Sequence, residues 1–409
     1  MSRVGHVGRR IQEGSLYVLL FLLPFSKATV EVTSVLLLLG WLLERFDPAT
    51  RRKTVWLRLQ CRPLALAVGT FLAVCAASIA VSSQPSLSLR GFFCKWLEYL
   101  WMFAIAADLG VRPAVVRRSS LVIACSSVFV MAEGLTQELF GKGFFRGFKL
   151  IVYSRMTGPY ENPIDLGIYL MMVTLLLLTY AAVQRGFRRG LVWTVLLFLV
   201  VCLGRTLALG VWVATFGAVV LVLMLGHAEV RRFALVLIWV TVFSAGYFLY
   251  RTGHTHEVLT LSDIGTADRV AMWTTAIRMI SDRPILGHGL NTFMANYLAY
   301  WVGGERQPRY AHNCYLQVAA ETGLVGLAAF LALLGLLFRQ LTAGLRRLSG
   351  DDQIILLGLV AGLLAFAIHS AVDTDFYSLR QAALFWTMAG IATGMTMTRS
   401  QERVPETSL

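Results

Sequence analysis

The chain has 409 residues, of which 57% are hydrophobic and only 15% charged. An average soluble domain is roughly 25% charged, so a water-soluble globule is excluded. The net charge of +14 invites a nucleic-acid reading, but the cations cluster between long apolar runs, where membrane topology places them. Membrane lipids are the expected surroundings, with no nucleic-acid partner.

Each membrane crossing takes about 20 mostly apolar residues. Twelve stretches qualify: 14–26, 28–44, 63–82, 91–109, 118–137, 163–183, 190–204, 206–225, 232–250, 312–338, 352–373 and 378–397. The first is short enough for a signal-peptide core. It lacks a convincing small-x-small cleavage site, and Pro24 and Lys27 lead straight into the next run. It reads as a retained helix, hairpinned with the second. With the N-terminus inside, every second gap is basic and short. Arg3, Arg9 and Arg10 precede the first span, and Arg45, Arg51, Arg52, Lys53, Arg58 and Arg62 follow the second. Arg112, Arg117 and Arg118 follow the fourth, Arg185, Arg188 and Arg189 the sixth, and Arg231 and Arg232 the eighth. Arg339, Arg346 and Arg347 follow the tenth, with Arg399 and Arg403 in the tail. A miscount by one breaks this alternation. The expected organisation is nine spans in 1–250, a large outer loop in 251–311, three spans in 312–397 and an inside tail over 398–409. None of the six cysteines forms a C-x-x-C pair, and most lie in apolar runs, so neither a disulfide framework nor a zinc site is expected.

Chemistry gathers in the outer gaps. Lys142, Arg146, Lys149 and Arg155 fall in segment 138–162, where positive-inside bias discourages cations. Lipid headgroups and an anionic substrate account for them equally well. A structureless loop of about sixty residues would be unusual, so 251–311 is expected to hold helices. Val270, Trp273, Ile277 and Ile280 recur on one face of 266–282, Arg269 shares a face with Trp273, and Pro284 marks the stop. This predicts an amphipathic helix at the outer interface. A second short helix is expected around Phe293, Tyr297 and Tyr300, after a Gly287-His288-Gly289 turn.

His312 opens the tenth span. It reads either as an interfacial polar anchor or as a general base, because the partial positive charge of a helix N-terminus disfavours imidazolium and a neutral ring can take a proton. Arg205 lies in the minimal gap between spans seven and eight. An arginine near hydrocarbon is costly; it either snorkels to a headgroup or offers its donor fork to phosphate oxygens. Asp373-Thr374-Asp375 ends span eleven on the same face. A D-x-D can hold a divalent metal beside a diphosphate, although two acids at this spacing are common. His369 stands one turn before Asp373 and is expected to pair with it. Glu98 and Glu133 are the features a transporter would need near the midplane.

In order and spacing, the stretch from Arg155 to Asp375 resembles the O-antigen ligase and polymerase family of bacterial envelope enzymes. Arg155-Met156-Thr157-Gly158-Pro159-Tyr160-Glu161-Asn162-Pro163 is similar to that family's Thr-Gly…Asn-Pro segment. Gly204-Arg205-Thr206 is similar to its Ser-Arg-Gly/Thr element, with glycine in place of the serine. Arg269…Trp273…Ala276 and then Asp282-Arg283-Pro284-Ile285-Leu286-Gly287-His288-Gly289 match its Arg…Trp…Pro-Leu-Leu-Gly-x-Gly run. Ala311-His312-Asn313…Leu316-Gln317…Glu321-Thr322-Gly323 matches its His-Asn/Ser…Leu…Glu-x-Gly signature.

The resemblance implies an all-α polytopic protein of glycosyltransferase C type in the bacterial inner membrane, with its active site facing the periplasm. It implies an undecaprenyl-diphosphate-linked glycan donor and, for the ligase branch, a lipid A–core acceptor, joined by an inverting, metal-independent transfer without cofactor. His312 is then the base and Arg205 and Arg269 hold the diphosphate. By their charge, Lys142, Arg146, Lys149 and Arg155 are expected to steer the phosphate-bearing donor or acceptor, and Asn162 and Asp375 complete the expected substrate site, Asp375 in an orienting or structural role. A polymerase, a protein O-oligosaccharyltransferase and a transporter remain the competing readings.

Overall fold

The computed structural model describes residues 2–48, 50, 54–150, 155–252, 266–302 and 310–397. The tail over 398–409 and parts of the outer loop, 253–265 and 303–309, lie outside the described residues. Among the described residues no strand forms; Lys142 and Lys149 pair as an isolated antiparallel bridge. The helices are α1 (Arg3–Leu22), α2 (Lys27–Arg45), α3 (Arg62–Ala80), α4 (Pro85–Gly91), α5 (Glu98–Gly110), α6 (Pro113–Phe140), α7 (Pro163–Val183) and α8 (Gly186–Arg205). They continue with α9 (Leu209–Leu225), α10 (Ala228–Thr252), α11 (Thr266–Asp282), α12 (Phe293–Tyr300), α13 (Cys314–Arg347), α14 (Gly350–His369) and α15 (Leu379–Met395). A π-helical segment, Phe92–Leu97, joins α4 to α5.

A helix stands at each of the twelve apolar stretches. Among the described residues, six helical segments are long and apolar enough to cross a membrane: Leu59–Ala80, Pro113–Phe140, Pro163–Val183, Gly186–Arg205, Cys314–Arg347 and Gly350–His369. Leu209–Leu225 is a shorter apolar helix. The first stretch belongs to a longer helix, because Gly5, Gly8 and Gln12 of α1 are buried as well. α1 packs on α2 as a hairpin, with Gln12 Nε2 donating to Glu44 Oε2 at 2.7 Å. Nearly every residue of α7 is buried, placing it at the centre. Gly358 and Gly362 let α14 lie against the α7 backbone, the small-residue contact that brings membrane helices close.

The two ends of the bundle differ. At the basic end Arg9 pairs with Glu44 at 2.9 Å, Arg45 with Asp108 at 2.5 Å, and Arg112 with Glu13. Helices α8 and α14 run away from that end and deliver Arg205 and His369 to the other.

The expected helices 266–282 and 293–300 both form. The face of α11 that packs inward is not the Val270/Ile277 stripe. Met272, Ala276 and Met279 are buried against Phe293, Tyr297, Ala311 and Ala320, whereas Val270 and Ile277 are exposed. Both faces of α11 are apolar, so periodicity alone could not choose between them.

A break in α13 carries this outer assembly. Gly323 has φ 71° and ψ 180°, a region essentially restricted to glycine. The Arg283–Gly289 segment threads across the break: Leu324 N donates to Pro284 O at 2.7 Å, His288 N to Ala320 O at 3.0 Å and Gly289 N to Glu321 O at 2.9 Å. A Cβ on Gly323 would lie 2.0 Å from Ile285 O. Gly323→Ala is therefore expected to cost about 2 kcal/mol or more and to lower the melting temperature in detergent. Gly335→Ala, on the same helix with open space around it, leaves the melting temperature unchanged.

Candidate active site

Asn313 caps α13, its Oδ1 accepting from Tyr315 N and Leu316 N at 3.0 Å each. His312 precedes the cap with φ 45°, a backbone angle uncommon outside glycine. Its carbonyl faces Trp273 Nε1 of α11 at 3.5 Å. Cys314 N donates to Ser370 O at 2.8 Å and to Asp373 O at 3.1 Å, clamping the start of α13 onto the turn after α14. His312 Nδ1 then lies 3.0 Å from Asp373 Oδ1.

Burial alone would raise the Asp373 carboxyl; the hydrogen bond and charge of His312 outweigh it and hold the group below the usual carboxylate value. An ionised Asp373 is an acceptor, so Nδ1 carries the proton and donates. Nε2 is the ring nitrogen left turned away from the carboxylate. The side chain of His312 is 23% exposed, enough to be reached from outside.

The expected His369–Asp373 pair does not form. His369 Nδ1 bonds Asp375 Oδ2 at 2.8 Å instead, with Ser370 Oγ donating to the same oxygen at 3.2 Å. Asp373 N still bonds His369 O, so the chain completes one more turn past α14. The Asp373 side chain is thereby delivered to His312 and Asp375 returns to His369. Burial pushes the Asp375 carboxyl up, with His369 partly offsetting it.

Arg205 ends α8, buried, with Nε donating to Glu138 Oε1 at 2.8 Å. Arg155 backs it: Arg155 Nε donates to Thr206 O at 2.7 Å and Met156 N to Arg205 O at 3.1 Å. Arg155 is itself buried, so it supports the Arg205 turn from behind. Past that turn, a Cβ on Gly210 would lie 3.3 Å from His369 Nε2. Arg269, one turn before Trp273 on α11, lies within electrostatic range of the same His369. The start of α9, five residues beyond Arg205, and the helix bearing Arg269 therefore both approach His369, while the turn after it holds His312 through Asp373.

Asn162 acts locally. Its Oδ1 caps α7 by accepting from Ile164 N at 2.7 Å and Asp165 N at 3.0 Å, with Pro163 next in line. Lys142, Arg146 and Lys149 stand exposed on a hairpin after α6. Glu133 is buried and spends its carboxylate on that hairpin's backbone, Phe145 N at 2.6 Å and Arg146 N at 2.8 Å. Glu98 accepts from Ser34 Oγ at 2.5 Å. Both carboxylates thus have local partners.

Several residues of this end escape a reading of the sequence. Arg380, in the first turn of α15, donates to Pro24 O at 2.7 Å and sits 4.1 Å from the centre of the Tyr160 ring. The rule that singles out Arg205, a cation inside an apolar run, applies to it equally. Gln137 ties Phe148 O, Thr157 Oγ1 and Gly158 O together through Nε2, with no signal in its neighbours. Glu321, which the sequence marks only as part of the Glu-x-Gly run, accepts from Asn291 N at 2.7 Å and from Tyr377 Oη at 3.0 Å.

This multi-pass helical bundle gathers arginines and an oriented imidazole at one end, groups able to bind an anion and to move a proton. Residues 170–331 match the family model described as O-antigen ligase. That segment is what the chain shares with the O-antigen ligase family. It contains Arg205, Arg269, His312 and Glu321. No curated protein matches the chain.

The His312–Asp373 pair predicts a pH signature. A carboxyl held below its unfolded value stabilises the fold above pH about 4 and loses that contribution as pH falls through the folded value. His312→Ala removes the partner, so burial raises Asp373 and its charge opposes folding at neutral pH. The melting-temperature deficit of His312→Ala relative to wild type is expected to be largest near pH 7 and to shrink towards pH 4. A deficit independent of pH would show that the pair is not coupled.

Proposed function

We propose that this protein is an O-antigen ligase of the bacterial inner membrane. Its twelve apolar helices span the bilayer in a glycosyltransferase C-type arrangement, with His312 facing the periplasm. The donor is a glycan on undecaprenyl diphosphate and the acceptor is lipid A–core. The observation that carries this reading is the His312–Asp373 pair, 3.0 Å apart, at the head of a helix inside the segment that matches the O-antigen ligase family.

The chemistry follows from the groups present. An acceptor hydroxyl is a weak nucleophile until its proton is removed. His312 Nε2 takes that proton while Asp373 fixes the ring and stabilises the imidazolium. The hydroxyl oxygen bonds to the anomeric carbon as the bond from that carbon to the diphosphate oxygen breaks on the opposite face. Configuration is therefore inverted. The leaving lipid diphosphate gains negative charge, which Arg205 and Arg269 neutralise. Arg155 holds the Arg205 turn, and the His369–Asp375 pair holds the turn that presents Asp373. Two arginines at the leaving group make a metal unnecessary in this scheme.

Transfer from lipid-diphosphate glycan to lipid A–core by purified protein, with chelator present, tests the reading. His312→Ala is expected to lower kcat by about a hundredfold or more, and Arg205→Ala or Arg269→Ala by a similar factor. Loss of product with chelator would restore the metal reading of Asp373 and Asp375. Lengthening of the lipid-linked glycan without use of lipid A–core would make the protein a polymerase.

A further inference from the structure

The hairpin after α6 has an unusual surface. Leu139, Phe140 and Phe144 are 65%, 73% and 78% exposed. Lys142, Arg146 and Lys149 stand exposed among them. The ion pairs among the described residues involve none of the three cations. The nearby acids are otherwise engaged, Glu133 with the hairpin backbone and Glu138 with Arg205.

The hairpin is also firmly built. Besides the two backbone groups held by Glu133, Phe144 N donates to Thr136 Oγ1 at 3.1 Å, Gly143 N to Phe148 O at 2.8 Å and Gln137 Nε2 to Phe148 O at 3.0 Å. Phe145 packs its ring on Phe25 and Phe129. Gln137 bonds the Thr157–Gly158 backbone as well, beside Arg155 and the Arg205 turn. The position of the hairpin relative to Arg205 is therefore set by buried polar contacts, while its aromatic and cationic side chains are left outward. A loop needed only as a connection would bury its aromatics or lack them, and outer cations run against topology bias.

We propose that this hairpin is the docking element for the donor's lipid diphosphate, an inference that rests on the ligase reading. Phe140 and Phe144 enter the edge of the hydrocarbon beside the polyprenyl chain. Lys142, Arg146 and Lys149 hold the diphosphate at headgroup depth and pass it to Arg205, which lies beside the base of the hairpin through Glu138. Charge complementarity selects this occupant. Three exposed cations on one short hairpin, outside the ion pairs of the described residues, suit a doubly negative diphosphate far better than a zwitterionic headgroup, and the exposed phenylalanines suit a lipid rather than free phosphate.

Direct binding keeps this inference separate from transfer. The wild type and the triple variant Lys142→Ala/Arg146→Ala/Lys149→Ala, in nanodiscs, are titrated with undecaprenyl diphosphate and, separately, with phosphatidylglycerol. The triple variant is expected to weaken undecaprenyl diphosphate binding roughly tenfold and to flatten its salt dependence, with phosphatidylglycerol unaffected. Phe140→Ser/Phe144→Ser is expected to weaken the long-chain diphosphate but not water-soluble geranyl diphosphate. Unchanged affinity in the triple variant, or equal losses for both lipids, overturns the proposal and leaves the hairpin a general headgroup anchor. Lys149→Gln alone gives the same readout should the triple variant melt early. Tight diphosphate binding in a wild type that transfers nothing to lipid A–core would sink the ligase reading and leave this one standing.

Discussion

Glu321 and Gly323 hold the outer segment to the bundle through one interrupted turn. Where α13 loses its helical angles at Gly323, the carbonyls of Ala320 and Glu321 accept from His288 N and Gly289 N, and Leu324 N donates to Pro284 O. The Glu321 carboxylate, buried close to the break, collects the Asn291 and Tyr377 donors. A buried carboxylate without donors would be severely destabilising, so this arrangement requires both the 283–293 segment and the Asp375–Tyr377 turn to be in place. α11 arrives as a consequence, bringing Trp273 to His312 and Arg269 to the neighbourhood of His369. The Pro-Ile-Leu-Gly-His-Gly run and the Glu-Thr-Gly run are thus two halves of one joint.

The two His–Asp pairs are interlocked in the same manner. Cys314 N sits on the carbonyls of Ser370 and Asp373, so α13 cannot shift without disturbing the turn that presents Asp373. His369–Asp375 lies beneath, fully enclosed, and fixes the turn from the other side. The partly exposed pair carries the chemistry proposed above, and the enclosed pair keeps its geometry. This division of labour accounts for the short spacing of the two aspartates better than a shared cation does, since each carboxylate already has its own imidazole.

Sequence reasoning reaches the helices and the individual polar residues because both signals are local. An apolar run of membrane length declares itself, and a cation or histidine at its end stands out by composition. The helix at 266–282 is legible for that reason, and Arg205, Arg269 and His312 stand out as candidates in the same way. Pairing is not legible. Assigning His369 to Asp373 assumes that the helix continues unchanged, whereas α14 ends at His369 and the following turn redirects both aspartates. The Val270/Ile277 face of α11 stays exposed, and no signal in the sequence indicates that Met272, Ala276 and Met279 pack on the small-residue surface at Ala311 and Ala320. Gln137 and Glu133 act through groups well along the chain, and no spacing rule reports such contacts.

The buried arginines at this end differ in one respect that bears on function. Arg380 donates to the carbonyls of Pro24 and Pro159, and Arg155 donates to that of Thr206. A backbone carbonyl in a packed turn cannot leave, so these contacts lock structure. The Arg205 fork instead faces the Glu138 carboxylate, on a side chain that is 28% exposed. A carboxylate on a partly exposed side chain can swing into water at small cost, and a diphosphate oxygen presents the same charge-assisted acceptor geometry to guanidinium. Under the proposed function, substrate capture at Arg205 is an exchange of one anion for another. Such an exchange avoids the penalty of leaving a buried cation unpaired when the site is empty.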